Sequence, residues 1–319
     1  MKTAVLTQDG IELIIENTPQ YADDEILIKL IGCGVCSGDL FVYNNRHQLG
    51  TSAKRLGHEG SGRVVGVGHD VTGFELDDLV TTFALPACAE YLVARPAEVV
   101  KLPSQVEPLY ALGEAVACCV HAGNRFGVRP GDRVAVLGCG FMGLICLQLA
   151  RFQGAGDIIA IDPLAYRLEM GQKLGADAVL NPLNHSAEEI VDHHGEVDVV
   201  IEAAGTQSAI DLSTPLVKEH GRIILVGYHQ SNDGQRTVNM ERWNYKAIDV
   251  VNGHVRRQAE KLAAMEQGMK LLGRGHLWTE PLVTTYNLSE AERAFADLSD
   301  GKEGLFKAVL TMDGPWDIA

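Results

Sequence analysis

Six short apolar runs recur between Arg133 and Val251, each separated from the next by a stretch of helix length. They are Arg133–Leu137, Ile158–Ile161, Ala178–Leu180, Val197–Ile201, Arg222–Val226 and Ala247–Val251. A strand that is apolar on both faces cannot lie at a solvated sheet surface, and helical connections cover both sides of a parallel sheet. The pattern predicts a doubly wound α/β domain over residues 117–252. Before Pro108 the chain reads as short strands broken by glycine: Ile26–Ile31, Ser61–Val67, Asp78–Thr82 and Ala89–Val93. Past residue 252 the pattern is mixed again. There Ser289–Leu298 reads as a helix whose serine, followed by Glu290 and Glu292, marks its start. Residues 1–116 and 253–319 are therefore expected to form a second, mostly β domain built from both chain ends.

Composition excludes several classes. Of 319 residues 46% are hydrophobic and 22% charged, which suits a packed core. Lysine and arginine total 27 against 42 acids, a net charge of −15, and a nucleic-acid partner needs clustered positive charge. No run reaches the ~20 apolar residues needed to cross a bilayer, and the opening MKTAVLTQDG turns polar too soon for a secretory leader. Seven cysteines, two of them adjacent at Cys118 and Cys119, form no regular framework. They are expected as free thiols in a reducing, cytoplasmic setting.

Gly138-Cys139-Gly140-Phe141-Met142-Gly143 is a GxGxxG that follows the run Arg133–Leu137 and opens an apolar helix, Leu144–Phe152. Glycines there permit a tight turn and close approach of backbone to a pyrophosphate, which the helix N-terminus then attracts. The second strand ends at Asp162, 24 positions after Gly138, where a carboxylate can accept hydrogen bonds from a ribose diol and repel a 2′-phosphate. NAD is thus expected over NADP. Arg167 is the nearest cation, either a solvated helix residue or a contact to the cofactor.

Gly32-Cys33-Gly34-Val35-Cys36 contains a CxxC, and with no second CxxC a four-cysteine zinc site is unavailable. Taken singly, Cys36 reads as a small buried hydrophobe and His58 as an ordinary histidine. With their flanks, Gly34-Val35-Cys36-Ser37-Gly38-Asp39 and Leu56-Gly57-His58-Glu59-Gly60 resemble the two zinc signatures of the zinc-dependent medium-chain dehydrogenases. Ala89-Glu90-Tyr91-Leu92-Val93 and Pro130-Gly131-Asp132-Arg133-Val134 extend the likeness over nearly the whole chain. The resemblance implies a Rossmann cofactor domain and a GroES-like catalytic domain. Leu112-Gly113-Glu114-Ala115 is similar to the sorbitol dehydrogenase branch, which places a glutamate as third ligand.

That likeness implies Cys36, His58 and Glu114 as the metal set, with Glu59 as an inner- or outer-sphere alternative. Three such ligands with one open position suit a catalytic zinc, which lowers the pKa of an alcohol before hydride leaves for the nicotinamide. It also implies that Met142 lies against the nicotinamide and that Lys307 meets the cofactor pyrophosphate, although a surface lysine reads as well. Homodimers and homotetramers are both usual in the family.

Two departures stand out. Cys88 is alone where many relatives keep four cysteines around a structural zinc, so one zinc per chain is expected. Gly38 replaces the usual hydroxyl two residues after the first ligand, and Phe41 the histidine of several relatives. Glu59, Ser37 and His47, with Tyr43, are the candidates to carry the substrate proton instead. Glu59 follows His58 directly, so in an extended segment its side chain is expected to point away unless the backbone bends.

The activity expected is oxidation of an alcohol, polyol or sugar-like hydroxyl; the polar run Tyr43-Asn44-Asn45-Arg46-His47 leans toward a hydroxyl-rich molecule. The alternatives are a zinc-independent quinone or enone reductase on the same fold, and a non-catalytic nucleotide-binding protein.

Overall fold

A computed structural model describes residues 1–312. The chain forms two compact units, Met1–Ala117 with the chain from Arg257 onward, and Cys118–Arg256.

In the first unit β1 (Lys2–Thr7), β2 (Gly10–Ile15) and the short β4 (Lys54–Arg55) make a small antiparallel sheet, with β3 (Ile26–Gly34) lying between β2 and β4 in sequence. Strand β3 instead pairs with β5 (Gly60–Val67), which continues through β6 (Leu79–Thr82) to β8 (Val99–Lys101), while β7 (Tyr91–Ala94) pairs back onto β3. Ile26, Ile28 and Leu30 point to one side of β3 and bury with Val64 and Leu92, as a period of two requires. Helix α1 (Ser37–Asn44) leaves the end of β3, and α2 (Gly113–Gly123) follows the last of these strands.

The second unit is the sheet foreseen from the two-sided apolar runs. Strands β9 (Arg133–Leu137), β10 (Asp157–Ile161), β11 (Ala178–Leu180), β12 (Val197–Glu202), β13 (Val217–Leu225) and β14 (Asp249–Asn252) lie in the order β11-β10-β9-β12-β13-β14. All five neighbouring pairs are parallel. Helices α3 (Phe141–Phe152), α4 (Ala165–Lys173), α5 (Ala187–His194), α6 (Gln207–Leu216) and α7 (Met240–Tyr245) connect them. The strand order reverses between β9 and β12, and ligands of such sheets bind at that switch point, beyond the carboxyl ends.

The chain then returns to the first unit through α8 (Gln258–Gly273), β15 (Val283–Asn287), α9 (Ala291–Ser299) and β16 (Lys307–Thr311). Strand β16 is antiparallel to β3 and parallel to β15, so the first unit's larger sheet is finished by residues from the far end of the chain. The helix expected at Ser289 begins one turn differently. Asn287 caps a 3-10 turn and Glu290 bonds back to the Asn287 N–H, so asparagine and glutamate form the capping box and α9 proper starts at Ala291. Among the described residues no helix is long and apolar enough to cross a membrane.

Candidate active site

The end of β3 turns into α1 at Cys36, whose Sγ caps that helix by accepting the Gly38 N–H at 3.4 Å. His58 and Glu59 sit just ahead of β5, which is hydrogen-bonded to β3, so sheet pairing draws both segments to one place. Among the described residues, Cys36, His58 and Glu59 offer ligand atoms that all lie within 4.8 Å of one another. Glu59 does not point away from Cys36 and His58, because the backbone bends as that approach requires. Gly57 has φ +86°, and a Cβ there would meet the Cys88 and Cys33 sulfurs at 2.6 and 2.7 Å. The backbone bends at that glycine, strand alternation does not hold across 56–59, and His58 and Glu59 converge.

The surroundings are anionic. Asp39, in the first turn of α1, puts Oδ2 3.4 Å from His58 Nδ1. Burial works to lower the His58 pKa, but the Cys36, Asp39 and Glu59 charges push it up to about 10. Burial raises the Asp39 carboxyl, with Glu59 adding to the shift. Two buried oxygens face charges rather than neutral donors: Asp39 Oδ2 the His58 ring, and Glu59 Oε2 the Lys307 ammonium at 2.6 Å. A thiolate, an imidazole and a carboxylate amid surplus negative charge are a donor set that fits a zinc ion.

Each carboxylate named as a ligand has its own lysine. Lys307, the first residue of β16, donates to Glu59 Oε1 at 2.7 Å and to the Val35 carbonyl at 3.0 Å. The side chains of Lys307 and Glu59 are 8% and 1% exposed. Burial acts to lower the lysine's pKa, yet the Glu59, Cys36 and Glu114 charges hold it above its ordinary value. Glu114 is outside the three-residue cluster: in the first turn of α2, it accepts a 2.7 Å hydrogen bond from Lys261 Nζ on α8.

In the second unit Gly140 is the N-cap of α3, one residue before Phe141. A Cβ on Gly143 would lie 1.8 Å from the Gly138 carbonyl oxygen, so only glycine allows the loop to close on the helix. Phe141 is buried, and Met142 Sδ receives the Cys119 thiol at 3.5 Å. Asp162 is 2% exposed. Its Oδ2 accepts the Cys139 N–H at 2.8 Å and its Oδ1 the Leu164 N–H at 2.9 Å.

Two family models match this chain: "Alcohol dehydrogenase GroES-like domain" over residues 22–150 and "Zinc-binding dehydrogenase" over residues 142–270. The chain belongs to the zinc-type medium-chain dehydrogenases. It is 28% identical to D-arabitol-phosphate dehydrogenase of Enterococcus avium, over 92% of each chain. It is 29% identical to sorbitol dehydrogenase of Bacillus subtilis, over 97% of each. The solved alcohol dehydrogenase TADH of Thermus sp. ATN1 shares the fold, with a TM-score of 0.85 at 23% identity, covering 98% of this chain and 100% of that one. The chain is an oxidoreductase that moves hydride between a nicotinamide dinucleotide and the carbinol carbon of a hydroxyl-bearing substrate.

Several residues of this dehydrogenase differ from their sequence reading. Lys307 neither reaches out to a pyrophosphate nor lies on the surface, because its ammonium is buried against Glu59. Arg167 is not merely solvated: its Nη1 lies 3.5 Å from Asp162 Oδ2. Glu59, a candidate to carry the substrate proton, is 1% exposed and held by the Lys307 ammonium. Ser37 and His47 are exposed and outside the metal cluster. Tyr43 is an anchor, donating to Glu292 Oε1 at 2.7 Å and packing against Phe295.

Sequence reading gave Asp39 no role although it lies within a quoted motif; an acid three residues past a ligand cysteine is the signal that was available. The buried network of Glu202, His229 and Arg236 had none. There Glu202 Oε1 accepts the Ala204 and Gly205 N–H groups, its Oε2 lies 3.0 Å from His229 Nε2, and Arg236 Nε donates to His229 Nδ1 at 2.9 Å.

Proposed function

We propose that this chain is an NAD-dependent dehydrogenase of polyols or sugar alcohols that carries one catalytic zinc, held by Cys36 Sγ, His58 and Glu59, with Glu114 as a further ligand. The observation that carries the reading is the convergence of those three donors, one from each of three side chains, within 4.8 Å of one another. Zinc bound there supplies Lewis acidity that lowers the pKa of a substrate hydroxyl. Asp39 faces the His58 ring and fixes its orientation, the usual task of a carboxylate behind a metal-bound imidazole. Lys307 fixes Glu59 in the same way, through a 2.7 Å hydrogen bond to Oε1. The relatives named for sorbitol and D-arabitol phosphate support an acyclic, hydroxyl-rich substrate.

In the cofactor unit the Gly138–Gly143 loop and the start of α3 are read as the pyrophosphate seat, with Gly140, Phe141 and Met142 against the dinucleotide. Asp162 is read as the ribose acceptor: two backbone N–H groups leave lone pairs on its oxygens, and its charge disfavours a 2′-phosphate. Arg167 moderates that repulsion. The test is a panel of polyols, polyol phosphates, cyclitols and secondary alcohols, assayed for NADH and NADPH production with and without a zinc chelator. Chelator-sensitive NADH production from polyols is the expected outcome; chelator-resistant activity, or preference for NADP, overturns the corresponding part.

A further inference from the structure

The carboxyl ends of β13 and β14 border a cavity of about 390 Å³, whose wall includes Arg125, His229, Asn252, His254 and Arg256. It lies wholly within the unit Cys118–Arg256, at the edge of a parallel sheet beyond which ligands bind. Its wall is cationic although the chain carries a net charge of −15. The Arg125 guanidinium donates to the Asn252 carbonyl, and that of Arg256 to the Val255 carbonyl at 3.3 Å. Among the described residues neither arginine meets a carboxylate. Arg133, Arg151, Arg167 and Arg222 of the same unit are each paired with an aspartate. The Glu202 carboxylate behind His229 does not offset the two charges. Its oxygens are taken by the Ala204 and Gly205 N–H groups and by the His229 ring, whose other nitrogen accepts from Arg236. Burial and the Arg256 charge lower the His254 pKa, so that charge is felt along the cavity wall.

Two guanidinium groups without carboxylates are a donor set for an oxyanion, and their planar forks match the oxygens of a phosphate bidentately. A neutral ligand leaves both charges unmatched. The cavity is also distinct from the dinucleotide loop. In the sheet β13 and β14 lie two and three strands from β9, whose loop is read above as the pyrophosphate seat, a spacing of about 10–14 Å. The volume falls within the span of about 300–1,000 Å³ usual for small-molecule sites, enough for a phosphate on a short carbon chain. We propose that this cavity binds the phosphate group of a phosphomonoester, with Arg125 and Arg256 as its cationic contacts. A polyol phosphate serving as substrate is one source of that group, and free phosphate is the other. Phosphate binding does not depend on the zinc reading, because the cavity belongs to the cofactor unit alone; its link to turnover rests on the polyol reading above.

The full-length protein is titrated calorimetrically at constant ionic strength with inorganic phosphate, and with a hexitol phosphate beside its unphosphorylated hexitol. Saturable phosphate binding is expected, with no counterpart in chloride. Arg125→Gln and Arg256→Gln should each weaken it about ten- to a hundredfold, the span that a charge-assisted hydrogen bond commands. Arg256→Lys keeps the charge, loses the fork and should fall between. Both arginines are exposed, so the variants should keep the parent's circular dichroism. Arg242→Gln removes an exposed arginine that does not line the cavity and should leave phosphate binding as it is. Steady-state assays then separate the two sources. The ratio of kcat/KM for the hexitol phosphate to that for the hexitol falls by a similar factor in both glutamine variants when the phosphate is the substrate's, and stays level when free phosphate is the occupant. A parent that shows no saturable phosphate binding, or binding that neither glutamine variant weakens, overturns the proposal. Turnover that resists chelation, or fails with every polyol, sinks the earlier reading instead and leaves the phosphate isotherm standing.

Discussion

Replacing Lys307 with methionine removes the ammonium that lies 2.7 Å from Glu59 Oε1 and 2.6 Å from Oε2. The carboxylate left behind is 1% exposed, so water cannot take the lysine's place. Breaking one side of a buried pair of this kind costs about 3–5 kcal/mol, because the surviving charge is desolvated and unmatched. For a domain of this size each kcal/mol lowers the midpoint by about 2–4 °C, so the metal-free variant should melt roughly 6–20 °C below the parent. A zinc ion held by Cys36, His58 and Glu59 would supply positive charge in place of the lost ammonium. Saturating zinc should therefore raise the variant's midpoint by more than it raises the parent's, a linkage read by calorimetry with and without the ion. Adding Glu59→Gln should recover most of the loss without zinc. A metal-free Lys307→Met protein that melts within about 2 °C of the parent, with the same zinc response, would refute the argument that this pair holds an otherwise unmatched charge.

The purified protein should hold one zinc per chain by metal analysis, and Cys36→Ser or His58→Ala should abolish it while the circular dichroism stays native; two tightly bound ions would defeat the single-site reading. Gly57→Ala should destabilise by roughly 2–5 kcal/mol in denaturant titrations and weaken zinc binding, since the new methyl meets two sulfurs at a positive φ. Asp162→Asn should narrow the preference for NAD over NADP by about one to two decades in kcat/KM, and an unaltered ratio would assign the choice to another residue. Burial and the Glu292 hydrogen bond push the Tyr43 hydroxyl up to about 12. Its contribution to stability is complete below pH ~10, the pKa of an unfolded tyrosine, and is lost as pH rises toward 12; Tyr43→Phe should flatten the stability curve in that window, measured by urea unfolding.

Much of this arrangement was legible in the chain. The parallel sheet followed from runs apolar on both faces, the tight loop before α3 from glycines placed between a strand and a helix, and the meeting of Cys36 with His58 was suggested by their flanks. What escaped depended on backbone angles and on distance along the chain. The direction of Glu59 turns on one φ at Gly57, which residue type permits but does not declare. Lys307 and Lys261 look like ordinary charged residues of a strand and a helix, and only sheet closure and helix docking bring them to carboxylates 248 and 147 positions away. Asp162 was read correctly as the acid ending the second strand, yet its inward hydrogen bonds to Cys139 and Leu164 depend on loop geometry with no linear signature.

The pairing of β16 with β3 also bears on the order in which the protein can be made. Cys36, His58 and Glu59 leave the ribosome well before Lys307, which with the strand that lies against Cys33 and Gly34 follows 248 positions after Glu59. The unit Cys118–Arg256 is one uninterrupted segment and can complete its sheet during synthesis, while the unit holding the cysteine and histidine still waits for a strand. Until that strand arrives Glu59 has no lysine, so the cluster of Cys36, His58 and Glu59 carries less positive charge beside it in a growing chain than in the finished protein.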